Sequence, residues 1–213
     1  MMPGARPALE PRRQPVQDRS RRRFDAMVDA ASTIIVERGF EALTTEAIAE
    51  EAGVAIGSVY QFFPNKHAVA NAVALRSFEG LDEVLRELDP DESAGAWTNH
   101  VALFIDALAR WWAANLAADR VWSAMDATPD MRVAAIAYSD RFHAHHVAWI
   151  TSSFAHLEPC RVEIIATTCS SIVRGILQDW GWDGAADRHA VDELQFALIA
   201  YVAAAMEPGR TRP

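Results

Sequence analysis

Gln61 carries a side-chain amide that donates and accepts at once, and such a pair fits the N6 and N7 edge of adenine in a DNA major groove. It stands in the run Ile56-Gly57-Ser58-Val59-Tyr60-Gln61-Phe62-Phe63. Helical spacing turns Ile56, Gly57, Ser58, Gln61 and Phe62 outward if Val59 and Phe63 face inward. Ile56 and Phe62 can then touch a thymine methyl, while the hydroxyls of Thr45 and Tyr60 and the Lys66 ammonium suit phosphates at helix ends. For Tyr60 and Phe62 simple packing is the alternative. Elsewhere, His143, His145 and His146 raise a metal question, because His143 and His146 are spaced to share a helix face with Asp140. No Cys or His pair on another segment matches them, so a solvent-exposed or pocket-lining role is expected, with no metal and no cofactor. The chain has no nucleophile elbow, P-loop, dinucleotide fingerprint or HExxH, and an enzyme is not expected.

The elements that must position these groups are legible around them. Ala47, Ile48, Ala49 and Ala52 recur at helical spacing, Gly53 stands where a helix takes a left-handed C-terminal residue, and Val54 turns back inward. A second helix follows from about Gly57 and is stopped by Pro64. It is too short to be stable alone, and the amphipathic stretch from Phe24 to Arg38 is its support. Two short helices about a tight turn make a helix-turn-helix, which places its second helix in a major groove.

Thr44-Thr45, Ile48-Ala49, Ala52-Gly53-Val54, Gly57, Tyr60, Phe63, Asn65 and Lys66 together resemble the DNA-binding signature of the TetR family of bacterial transcriptional regulators, over residues 20–70 or so. The resemblance implies an all-α protein: an N-terminal three-helix helix-turn-helix domain, a linking helix, and a C-terminal helical bundle for ligand binding and dimerisation. It also implies that Gly57, Ser58 and Gln61 lie nearest base edges and that Thr45, Tyr60 and Lys66 hold phosphates. Many members place Ser where this chain has Ala55. Alanine cannot cap the recognition helix, a loss of about 0.5–2 kcal/mol, so the helix relies on packing of Val59 and Phe63.

Charge is divided unevenly. The chain of 213 residues has a net charge of −9, yet residues 1–23 hold seven arginines against Glu10 and Asp18, a net of +5. The arm abuts the first helix of the head, which suits it to neutralise phosphates; a solvated tail is the other reading. Arg21, Arg22 and Arg23 are its candidates for DNA contact, and Pro3, Pro7, Pro11 and Pro15 argue against a fixed conformation before binding.

Patterning gives the expected organisation as a flexible arm over 1–19, the DNA-binding domain over 20–66, a ligand-binding and dimerisation domain over 67–207, and a tail over 208–213. The first helix spans Arg19 to Arg38 and a linking helix runs from Lys66 to Leu88. Beyond the turn-rich Asp89–Ser93, five helices follow: 94–116, 119–127, 129–156, 159 to 180–184, and 187–206. All seven tryptophans lie after residue 96. Phe104, Leu108 and Trp111 form one stripe, which Trp122, Met125, Phe142, His146 and Trp149 complete into an apolar pocket with few polar groups, the composition of a ligand site. The last two helices are apolar on two faces, so one face is expected to pack on a twofold mate through Ile172, Ile176, Leu194, Leu198, Tyr201 and Val202. Cys160 and Cys169 lie roughly 13 Å apart along one helix and cannot pair within the chain, which leaves buried inert thiols or a redox sensor across a dimer.

No run of 18 apolar residues occurs, and the Arg-rich start lacks an apolar signal core, so a cytoplasmic protein without membrane association is expected. The expected function is ligand-responsive regulation of transcription, as a repressor released from a near-palindromic operator on double-stranded DNA. The expected effector is an apolar or aromatic small molecule of unknown identity, and the expected assembly is a homodimer. An activator or an effector-independent regulator is the near alternative, and a helical small-molecule-binding or transforming protein the remote one.

Overall fold

The computed structural model describes residues 9–12, 17–88, 97–124, 129–179 and 188–206. Among them the chain is all-α: α1 (Asp18–Arg38), α2 (Thr45–Glu51), α3 (Ile56–Phe62), α4 (Lys66–Arg86), α5 (Trp97–Ala114), α6 (Leu116–Ala124), α7 (Pro129–Ser153), α8 (Pro159–Asp179) and α9 (Arg188–Met206). A 3₁₀ turn at Phe40–Ala42 was not expected from the patterning. Met125, Trp180, Trp182, the loop at 89–93 and the tail at 208–213 lie outside the described residues.

The chain divides into two compact units, residues 1–80 with 115–137, and residues 81–114 with 138–213. In the first, Met27, Ala31, Ile34 and Ile35 of α1 are fully buried together with Leu43, Ile48, Val59 and Phe63. This is the support that the short helices need. Backbone chemistry sets the ends of α2. Thr44 Oγ1 caps its start by accepting from the Ala47 N–H at 3.0 Å. At its end the N–H of Gly53 donates to the Glu50 carbonyl at 3.1 Å and that of Val54 to the Ala49 carbonyl at 2.9 Å. Gly53, at φ 62°, takes the left-handed conformation that this double closure requires.

One expectation changes here. The sixth helix, expected in the ligand domain, packs as α6 on α1 and the 3₁₀ turn of the first unit. Its buried face, Ala117, Ala118 and Val121, is small enough for close approach.

In the second unit α9 packs on both α5 and α8. Gln195 Nε2 donates to the Ala102 carbonyl at 3.0 Å, and Arg188 pairs with Asp106 at 2.9 Å. Arg161 of α8 donates to the Ala205 carbonyl at 3.0 Å, and Arg141 of α7 pairs with Asp82. This packing corrects the expected dimer face: Leu194, Leu198 and Val202 are buried within their own chain. An all-apolar helix does not say which side its own core takes.

Candidate nucleic-acid interface and effector cavity

α3 turns Val59 and Phe62 inward, and no side chain caps its start, as expected of Ala55. Ile56 and Tyr60 are each 41% exposed, Gly57 and Gln61 are exposed, and Ser58 is half-buried. A Cβ built on Gly57 meets nothing within 4 Å, so the bare backbone there answers no packing need of the fold. Phe62 is the exception to the expected outward set, at 5% exposure. Phe24 of α1 explains it, lying edge-on to Phe62 at 5.9 Å and stacked on Phe63 at 4.9 Å. Both aromatic rings at the end of α3 are therefore committed to the core.

Thr45 is buried, and its hydroxyl lies 3.0 Å from that of Tyr60 and donates to Glu46 Oε2 at 3.1 Å. Its side chain fixes the Tyr60 hydroxyl at the edge of the head instead of presenting its own. Lys66, half-buried at the start of α4, places Nζ 5.4 Å from the centroid of the Phe40 ring. Asn65 Oδ1 caps the same helix start by accepting from the Ala68 N–H at 2.9 Å. Arg21 and Arg22 are exposed on α1, and Arg23 is half-buried.

The arm, expected to be flexible throughout, is docked over Leu9–Arg12. Leu9 is only 7% exposed, and its carbonyl accepts from Asn71 Nδ2 at 3.1 Å. The Arg12 N–H donates to the Phe62 carbonyl at 2.7 Å, and the Arg12 guanidinium to the Tyr60 carbonyl at 3.4 Å. These carbonyls belong to the last turn of α3, whose acceptors no helix can satisfy internally. Leu9, an apolar residue in an Arg- and Pro-rich tract, was the signal that sequence reading missed.

In the second unit a cavity of about 30 Å³ is lined by His100, Val101, Phe104, His145, His146, Trp149, Cys169, Leu198 and Val202. Of the expected ligand set, Phe104, His146 and Trp149 line it. Phe142 stands behind them, 5.7 Å from Phe104 and 4.5 Å from His146 between ring centroids. Leu108 and Trp111 are buried elsewhere on α5, with Trp111 edge-on to Trp112 at 5.0 Å. Trp122 packs edge-on to Phe78 at 5.7 Å within the first unit. Adjacent Trp111 and Trp112 and the position of α6 explain these departures, because neither a helical stripe nor aromatic content fixes which neighbours meet. His100, His145, Cys169 and two residues assigned to the dimer face take their places.

Burial dominates the electrostatics of this cavity. It pushes His146 down to about 4, against the opposing effect of its bond to the Phe142 carbonyl, with His145, His143 and His100 adding smaller repulsions. Burial lowers His145, and burial first and then His145 lower His100. His146 Nδ1 lies 2.8 Å from the Phe142 carbonyl and must donate to it, leaving Nε2 as an acceptor. His145 Nε2 is buried without a hydrogen-bond partner among the described residues, at a cost of about 1–3 kcal/mol. Burial raises the Cys169 thiol to about 11, which keeps it protonated at neutral pH, whereas Cys160 is exposed. His143 points to Glu163 at 3.0 Å, and among the described residues no group of three or more ligating side chains could hold a metal ion.

A small helical head with a polar, outward short helix, joined to a second helical unit, defines the class as a helix-turn-helix regulator. Residues 27–73 match the model of bacterial regulatory proteins of the tetR family, and residues 97–201 that of the tetracyclin repressor-like C-terminal domain. The chain belongs to the TetR family of transcriptional regulators, not to a family of enzymes. It is 40% identical over 63 residues to the HTH-type transcriptional repressor KstR of Mycolicibacterium smegmatis, a match covering 29% of this chain and 30% of that protein. With the HTH-type transcriptional regulator YfiR of Bacillus subtilis it shares 31% over 83 residues, 38% of each. The chain thus spans about a third of the length of the curated relatives it matches. Among solved structures, a TetR-family regulator from Streptomyces coelicolor superposes with a TM-score of 0.62 at 22% identity, over 88% of this chain and 99% of that one. The fatty acid degradation regulator FadR of Bacillus halodurans gives 0.67 at 16% identity, over 89% and 97%. At such identities these structures share the fold alone.

Proposed function

We propose that this regulator is a homodimeric repressor, held on a near-palindromic operator by two α3 helices and released when a small uncharged ligand enters the second unit. The outward face of α3 carries the reading: Ile56, Gly57, Ser58, Tyr60 and Gln61 stand exposed or half-exposed on a helix anchored by Val59, Phe62 and Phe63. Exposed Arg21 and Arg22 and the docked arm supply cations for phosphates. The repressor names of relatives such as KstR favour repression over activation. Such a protein acts in the cytoplasm, where its DNA lies, and no single described helix is long and apolar enough to cross a membrane.

The mate packs on α8 and α9. These helices contact each other and carry Phe196 at 70% exposure and Ile164 at 54%, with Ile172, Ile176 and Tyr201 half-buried. Large apolar side chains left in water on two packed helices favour association. Release requires that the ligand bind the DNA-competent and DNA-incompetent conformations unequally.

A reporter driven by the DNA upstream of the chain's own gene tests the reading. Co-expression of the protein should silence the reporter, and Gln61→Ala should restore it while the variant remains folded. Activation of the reporter by the wild type would contradict repression, and no effect on it, with no binding to that DNA, would contradict operator recognition.

A further inference from the structure

Three imidazoles gather on one aromatic cavity. His100 of α5 and His145 and His146 of α7 line it with Phe104 and Trp149, and among the described residues no Asp, Glu, Lys or Arg side chain is in the lining. His100 lies flat on Trp149, with centroids 4.7 Å apart and planes 11° from parallel. His145 is nearly parallel to Phe104, at 5.8 Å and 16°, so packing sets the plane in which its nitrogens point. His146 is fixed in the Nδ1–H tautomer by the Phe142 carbonyl, which leaves its Nε2 as an acceptor. His145 Nε2 is buried and unpartnered among the described residues. Burial holds all three rings uncharged at neutral pH.

Resting on the ligand-released reading above, we infer that this cavity binds an uncharged aromatic molecule bearing a hydroxyl group. The hydroxyl pairs with His145 Nε2, and the ring lies among Phe104, Trp149 and Val202. Each competing chemistry leaves something unmatched. A carboxylate meets no cation, an ammonium meets no anion, and a hydrocarbon leaves the His145 nitrogen as it was. A hydroxyl donates and accepts, so it satisfies either tautomer of His145. At about 30 Å³ the cavity has room for water but not for an aromatic ring. The ligand therefore enters by parting the His100–Trp149 stack, which opens α5 from α7 and gives the two conformations different affinities.

Phenol, benzene and benzoate are the probes, titrated into the full-length protein. Affinities are read from tryptophan fluorescence and the contact from long-range proton–nitrogen spectra of the histidine rings. Phenol should bind roughly tenfold more tightly than benzene and shift the His145 Nε2 resonance, with benzoate no better than benzene. His145→Phe keeps a ring and removes the nitrogen, so phenol should fall to the benzene level while benzene binding holds. His145→Gln should recover part of the difference. Should His145→Phe fail to fold, the wild-type ranking and the His145 resonance still decide. Equal binding of phenol and benzene, preference for benzoate, or no binding of any probe at millimolar concentration because the site holds only water would overturn the inference. Operator binding is followed separately by fluorescence anisotropy. Phenol that binds through His145 while the operator stays bound would support this site and remove the ligand-released reading.

Discussion

At the scale of single residues, the roles proposed for Gln61 and Lys66 separate reading DNA from holding it. Lys66→Ala should weaken operator and random duplexes alike and lower the salt slope by about one, as expected for a lost phosphate contact. Gln61→Ala should instead relax preference at one base pair, by about 1–3 kcal/mol. Binding titrations over a salt series on two duplexes read both, and a changed preference in Lys66→Ala with an intact slope would reverse the roles. Gly57→Ala adds a methyl into open space, so the melting temperature should hold while operator affinity falls if the backbone approaches the groove. His146, the most strongly shifted of the three cavity histidines, makes the largest histidine contribution to the pH dependence. Its ring takes a proton at about 4 in the folded chain and at 6.5 in the unfolded one, so the unfolded state binds more protons between those values. Stability is complete above pH 6.5, declines as pH falls through that window, and is about 3 kcal/mol lower below it. Urea midpoints from pH 7 downward should show this decline, and His146→Phe should reduce it, leaving the share of His100 and His145.

At the scale of elements, the recognition helix depends on what borders it. The docked arm satisfies carbonyls of its last turn, so deleting residues 1–12 should speed hydrogen exchange in α3 as well as weaken DNA binding. Deleting residues 1–8 removes Arg6 but keeps the docked segment, and should affect DNA affinity alone. Equal exchange in both truncations would make the docking irrelevant to α3. What was legible in the sequence follows the same division. Gly53 and Pro64 announced the ends of α2 and α3 because their backbone chemistry is local, and Ala55 announced an uncapped start. Leu9 meeting Asn71, and Phe62 turning toward Phe24, depend on contacts distant in sequence, which periodicity over a seven-residue helix cannot specify. The cavity was half legible: Phe104 on α5 and His146 with Trp149 on α7 follow helical spacing, as does His100 one turn before Phe104, whereas Cys169, Leu198 and Val202 join them only through packing of separate helices.

For the whole molecule, the apolar character of α8 and α9 is the ground for the proposed association surface, and the residues that remain exposed give its proposed location. Phe196→Glu or Ile164→Glu should yield monomers in sedimentation while helicity is retained; Leu198→Glu, which buries a carboxylate in its own chain, should unfold the second unit instead. Persistence of the wild-type assembly in both exposed-site variants would move the interface elsewhere. The central claim, that paired α3 helices read a near-palindrome, is tested most directly by titrating labelled upstream operator with the full-length protein and repeating it with one half-site scrambled. Two protomers should bind each intact operator, and scrambling one half should reduce affinity by a factor of ten or more, on the order of the energy of one lost set of base contacts. One protomer per operator, or equal affinity for intact and scrambled duplexes, would contradict the account.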